Sequence, residues 1–167
     1  MATYQFLGET NALPYETRDS VVLRRYVDFA DLILNPQKLS LASAPNVPLS
    51  SFAGLAAADV LQLFHIPAGT LVSGMGMYAQ AIDTNATGTI ALGDGSSTAG
   101  WMAATATTAG AVTTTVVGDA YGSDNYNFLA YKAADTLDAL GATATLIDAK
   151  VHFFAIAMKA FDITSVV

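Results

Sequence analysis

Two histidines, His65 and His152, are the residues of this 167-residue chain best suited to metal ligation or to proton transfer near neutral pH. Each is set in an apolar run, His65 between Phe64 and Ile66 and His152 between Val151 and Phe153. That setting points to a hydrogen-bonded core or interface histidine rather than a reacting one. Residues 83–94, Asp-Thr-Asn-Ala-Thr-Gly-Thr-Ile-Ala-Leu-Gly-Asp, place oxygen donors at loop positions 1, 3 and 5, glycine at 6 and an acid at 12, as calcium loops do. The last donor is Asp94, shorter than the usual bidentate glutamate, and the flanks look like strands; a polar hairpin turn accounts for the same residues. Gly93-Asp94-Gly95-Ser96-Ser97 lacks the lysine and the following helix of a phosphate cradle, and Gly74-x-Gly76 lacks the third glycine of a dinucleotide site. Asp119 and Asp124 share a loop with Tyr121, close to Tyr126, and with Trp101 these are the residues a sugar would stack on and bond to. Asn85-Ala86-Thr87 fits a glycosylation acceptor, a pattern short enough to arise by chance. No serine stands in a Gly-x-Ser-x-Gly elbow. Cysteine is absent, which excludes disulfides, thiolate zinc sites and thiol nucleophiles and fits a reducing cytosol. The expectation is no catalytic residue, no metal and no cofactor, and so no enzyme.

The composition turns attention to surfaces. Charged residues make up 13% of the chain, against roughly 25% in ordinary soluble domains, while 53% is apolar. A free monomer stays soluble through a charged exterior. This exterior must be small and neutral, or partly covered by other subunits, so the chain reads as part of an assembly. The net charge of −7 and the lack of a basic stripe argue against nucleic acid and against acidic lipid. The N-terminus lacks a signal-peptide pattern, and the uncharged stretch 101–117 is mostly Ala and Thr, too weakly apolar to span a bilayer.

The elements that position these residues read as strands. Over 20–29, Val21, Leu23, Val27 and Phe29 share one parity and Val22, Arg24, Tyr26 and Asp28 the other, the period of a half-buried strand. Arg25 falls on the apolar parity, which puts it at an edge or against a partner. A helix over 21–34 is the alternative, disfavoured by the β-branched content. Residues 1–17 read as an irregular arm whose aromatics Tyr4, Phe6 and Tyr15 dock on their own domain or on a neighbour. Pro36, Pro45 and Pro48 make 35–51 an extended connector, and 52–58 suits one helical turn. Strands are expected at 59–66, 71–82, 89–92, 111–117, 126–131, 135–140, 142–147 and 150–163, separated by turn chemistry. Gly74 and Gly76 share a face of one strand, the mark of a bulge or a close backbone approach. The last strand is apolar on both parities, as for a strand covered on both faces, with a subunit contact as the second cover. The fold expected is an all-β sandwich with a jelly roll as its natural connectivity. Residues 1–56 form the arm, first strand and connector, and 57–167 the body.

The run Asp59-Val-Leu-Gln-Leu-Phe-His-Ile-Pro-Ala-Gly-Thr-Leu-Val72 resembles a "DVxQLFxIPAGTxV" strand–turn–strand module of tailed-phage virion proteins. Gly93-Asp-Gly95 with Gly100-Trp101, then Ala134-Asp-Thr-Leu-Asp138 with Ala142-Thr-Ala144, resemble its later segments. The likeness covers about residues 57–163. It implies a small cement or decoration protein, a jelly-roll knob sitting as a trimer on a capsid exterior, with no catalytic residues. The implied partners are the major capsid protein and two further copies of this chain, in the virion after synthesis in the host cytoplasm. The contact residues expected are Tyr4, Phe6, Leu7 and Tyr15 of the arm, with Arg18, Arg24 and Arg25 pairing with capsid carboxylates. Removing residues 1–17 is expected to abolish decoration and leave a folded body. A tail, baseplate or glycan-binding sandwich is the alternative.

Overall fold

The computed structural model describes residues 1–7, 20–85, 87–107, 112–114 and 129–159. Their strands are β1 (Thr3–Phe6), β2 (Val21–Asp28), β3 (Leu39–Leu41), β4 (Ala44–Pro48), β5 (Val60–Ile66), β6 (Thr70–Ala81) and β7 (Thr89–Asp94). Then come β8 (Met102–Ala106), β9 (Val112–Thr114), β10 (Leu129–Tyr131), β11 (Asp135–Gly141) and β12 (Lys150–Lys159). Among the described residues one α-helix, α1 (Phe29–Leu34), follows β2, and a 3-10 turn, Pro36–Lys38, follows it. A seven-stranded sheet runs β4-β3-β1-β5-β11-β7-β8, and a five-stranded sheet runs β10-β6-β12-β2 with β9 also on β6. All pairings are antiparallel except β1 with β5. The chain is an all-β sandwich.

The alternation over 20–29 becomes β2, whose inward side carries Val21, Leu23, Arg25 and Val27. Asp28 ends it: its carboxylate accepts the Asp31 N–H at 3.2 Å and caps α1, so both the strand and the helix readings of 21–34 hold for part of the segment. The core joins both sheets through Leu61, Phe64, Met75, Met77, Ile90, Leu92, Trp101, Leu137, Val151 and Phe153, each fully buried large apolar side chain contributing roughly 1.5–3 kcal/mol. In β6 the inward residues are Val72 and then Met75, Met77 and Ala79. The parity changes because Ser73 is unpaired between Val72↔Ala157 and Gly74↔Ile156. This bulge beside Gly74 lets one long strand keep its apolar side inward on both sides of the irregularity.

Several segments differ from the sequence reading. Residues 3–6 of the arm are extended but ordered, as β1 between β3 and β5, and Val60 N–H bonds to Ala2 O at 2.9 Å. Strands from either side of residue 56 therefore share one sheet. Cutting away residues 1–17 would remove an internal strand, so an intact body is not expected from that truncation. The proline-rich connector forms a 3-10 turn that starts at Pro36, then β3 and β4; Pro45 and Pro48 fall in β4, the edge strand, where few donors are needed. Residues 52–58 are not helical: Leu55 and Leu146 exchange both backbone hydrogen bonds at 2.9–3.0 Å. Gly54 (φ +108°) sits so close that a Cβ there would lie 2.4 Å from Leu146 O. That bridge is all that becomes of the strand expected at 142–147. β8, in the Ala/Thr stretch, was not expected at all.

Candidate functional site

Asp83 is 1% exposed and its carboxylate is saturated. Oδ2 accepts the consecutive N–H groups of Ile147, Asp148 and Ala149 at 2.6, 3.0 and 3.1 Å, and Oδ1 accepts Asn85 N–H at 2.9 Å. Asp94 is equally committed. Oδ1 accepts Ser96 and Ser97 N–H, each at 2.9 Å, and Oδ2 accepts the Tyr131 hydroxyl at 2.8 Å. Asp94 is the last residue of β7 and Asp83 precedes the turn before that strand, so each acid staples a different turn and the two do not face a shared cation. The N–H groups that a phosphate would need near Gly95 are likewise taken by Asp94. Among the described residues no group of three His, Asp or Glu side chains is placed to hold a metal ion.

Trp101 is fully buried, its Nε1–H donating to Tyr131 Oη at 3.2 Å, which removes it from any sugar-stacking surface. Burial and the nearby Asp94 hold the Tyr131 hydroxyl firmly protonated. Asp119, Tyr121, Asp124 and Tyr126 lie outside the described residues. Asn85 Nδ2, the atom a glycan would need, donates to Thr145 O at 3.2 Å. Asp138 is the unusual carboxyl: 4% exposed, with Oδ1 lacking any hydrogen-bond partner. Burial, with Asp135 and Asp94 adding to it and Thr136 opposing, pushes it up to about 7.

Both histidines are exposed rather than in the core. His65 is on the outward side of β5. His152 stands on β12 between Tyr26 of β2 and Tyr78 of β6, with ring centroids 4.7 and 5.9 Å away, and its Nε2 lies 3.2 Å from Gln80 Oε1. This row heads the outer face of the β2–β12–β6 sheet. Val22 and Tyr26 are each 47% exposed, Ile156 37% and Tyr78 36%. A groove lined by Val22, Arg24, His152, Phe153 and Phe154 runs along it. The second parity of β12, read as covered, is thus open to solvent in the single chain.

The expected contact residues divide between the interior of the sandwich and its outer face. Tyr4 and Phe6 are half-buried against the core, Tyr4 edge-on to Phe52 at 5.1 Å. Burial, then Asp59, raises the Tyr4 hydroxyl. Arg25 points between the sheets, with its guanidinium 4.3 Å from the Phe6 ring centroid and its Nε donating to Leu63 O at 2.7 Å. Leu7 N–H bonds to Lys38 O at 2.9 Å. Arg24 points the other way and is exposed on the outer face. Tyr15 and Arg18 lie outside the described residues. The structure thus brings Phe6 and Arg25 together and separates them from Arg24. The face that Arg24 shares with Val22, Tyr26, Tyr78, His152 and Ile156 was signalled only by the double apolar parity of β12.

No family model and no curated protein matches this sequence. Two solved chains match its structure. A chain of the capsid of Ralstonia phage GP4 superposes with a TM-score of 0.57 over 93% of this chain and 97% of that one, at 14% identity. A chain of the cyanophage Pam1 capsid asymmetric unit gives 0.49 over 90% and 94%, at 16% identity. At this identity the first likeness establishes a common fold.

Proposed function

We propose that this chain is a structural protein of a tailed-phage virion, and specifically a cement or decoration protein that binds the major-capsid lattice as a homotrimer. The observation that carries the reading is the end-to-end likeness to a chain of the Ralstonia phage GP4 capsid, spanning 97% of that chain. It is supported by the sequence resemblance over residues 57–163, by the small charged fraction, and by the apolar outer face of the β2–β12–β6 sheet. The mechanism is area burial, worth roughly 25 cal/mol per Å², repeated over many copies so that each contact can stay modest. We assign lattice contacts to two separate places, Arg24 on the outer face and Tyr4, Phe6, Leu7 and Arg25 near the arm, with Tyr15 and Arg18 of the arm as further contacts. Of the described members, Arg24 is the exposed one and Tyr4, Phe6, Leu7 and Arg25 are partly so.

Co-sedimentation with expanded capsids lacking this protein tests the reading. Saturable binding and added capsid density in electron micrographs are expected. A purified protein that leaves those capsids undecorated removes the assignment.

A further inference from the structure

The five-stranded sheet ends at β2. One edge of β2 is fully used, since residues 21–28 pair without a register break from Val21↔Ala157 to Asp28↔Lys150. Its other edge pairs with no strand among the described residues. The remaining sheet margins are blunted in the usual ways. β4 carries Pro45 and Pro48, the β7–β8 ladder breaks register between Ile90 and Leu92, and β9 and β10 have three residues each. β2 has no proline, no bulge and eight residues. It is the margin able to accept an added strand.

Charge says what kind of strand. The chain has 14 acidic and 7 basic residues, yet β2 and β12 together carry Arg24, Arg25, Lys150 and Lys159 against Asp28 alone. Lys150 and Asp28 pair at 3.2 Å. Arg24, exposed between Val22 and Tyr26, has no carboxylate partner among the described residues. An added strand would place a side chain directly beside Arg24, where an opposite charge is favoured and a like charge is not. A second copy of β2 meets that test badly. Two-fold pairing that keeps outward residues opposite outward ones has two longest registers, over 21–27 and over 22–28. The first sets Arg24 against Arg24, the second Arg25 against Arg25. The other margins of a second copy, Ala-Pro-Asn-Val-Pro of β4, Met-Ala-Ala-Thr-Ala of β8, Val-Thr-Thr of β9 and Leu-Ala-Tyr of β10, offer no carboxylate.

We propose that the edge of β2 away from β12, which no described strand pairs, receives an extended segment of a neighbouring lattice protein as an added strand, with an Asp or Glu of that segment beside Arg24 and apolar residues beside Val22 and Tyr26. This rests on the reading of the chain as a lattice-bound protein and specifies how it is held. The experiment uses the full-length protein and expanded capsids lacking it. Hydrogen exchange followed by mass spectrometry should show amides of residues 21–28 protected on capsids relative to the free protein. Arg24→Glu, at an exposed position, should keep the wild-type melting temperature and bind about tenfold more weakly or worse, while Arg24→Lys binds nearly as wild type. Capsid binding without added protection of 21–28, or undiminished binding by Arg24→Glu, overturns the strand addition and leaves the virion reading standing. Protection of 21–28 that appears in the free protein as its concentration rises assigns the edge to a second copy and overturns the proposal too. Failure of the wild type to bind capsids removes both.

Discussion

At the scale of single residues, the acids of this chain are fasteners, and one of them is held at a cost. Both carboxylate oxygens of Asp83 and of Asp94 accept hydrogen bonds, from backbone N–H groups and a tyrosine hydroxyl, which is why a calcium-like spacing comes to nothing. Asp138 is poorly compensated: its Oδ1 has no hydrogen-bond partner, and Thr136 only partly opposes the effect of burial. Its native value of about 7 lies above the ordinary carboxyl value near 3.9 of an unfolded chain. Between those limits the native state holds a proton that the unfolded state has lost, so raising the pH lowers stability. The Asp138 contribution is fully present below about pH 4 and is lost as the pH passes 7. Asp138→Asn should flatten this slope and raise the urea midpoint at pH 8, and denaturant titrations at pH 5 and pH 8 check it. A wild-type midpoint that does not fall across this range faster than the variant's would contradict the burial argument. The geometry could not be read from the sequence, because Asp138 lies in an alternating run that looks like any other surface acid on a strand.

At the scale of elements, β1 matters most for its size. Four residues join the β3–β4 hairpin to β5, and the Ala2 amide donates to Asp59 Oδ1 at 2.6 Å to anchor the entry. A protein lacking residues 1–7 is expected to lose several kcal/mol or fail to fold, since an internal strand carries two ladders and the half-buried Tyr4 and Phe6. Circular dichroism melts check this; a truncated protein melting within a degree or two of wild type would show β1 to be dispensable. Alternation announced β2, and turn chemistry announced β5, β6 and β11. β1, β3 and β4 were hidden for a common reason: strands of three to five residues are too short to show a period, and they exist because a neighbour completes their hydrogen bonds. The β6 bulge was half visible. Glycines marked the place, but only the register against β12 shows that Ser73 is the extra residue.

At the scale of the whole molecule, a buried polar tie joins the two sheets. Tyr131 of the five-stranded sheet donates to Asp94 of the seven-stranded one and accepts from Trp101. Tyr131→Phe should cost about 1–3 kcal/mol, because it leaves a buried carboxylate oxygen and an indole N–H short of a partner. Denaturant midpoints measure the loss, and an unchanged midpoint would mean that the tie is not what fastens that end of the sandwich. The sequence by itself determined the all-β character, an inward alternation for the longer strands, and a low charged fraction, because period and composition are local or additive properties. Only the tertiary structure decided that the histidines face outward, that the calcium-like acids are held by backbone N–H groups, and that no described strand pairs with the outer edge of β2. Those outcomes depend on which distant segments lie side by side, a matter of long-range pairing that no stretch of residues carries alone.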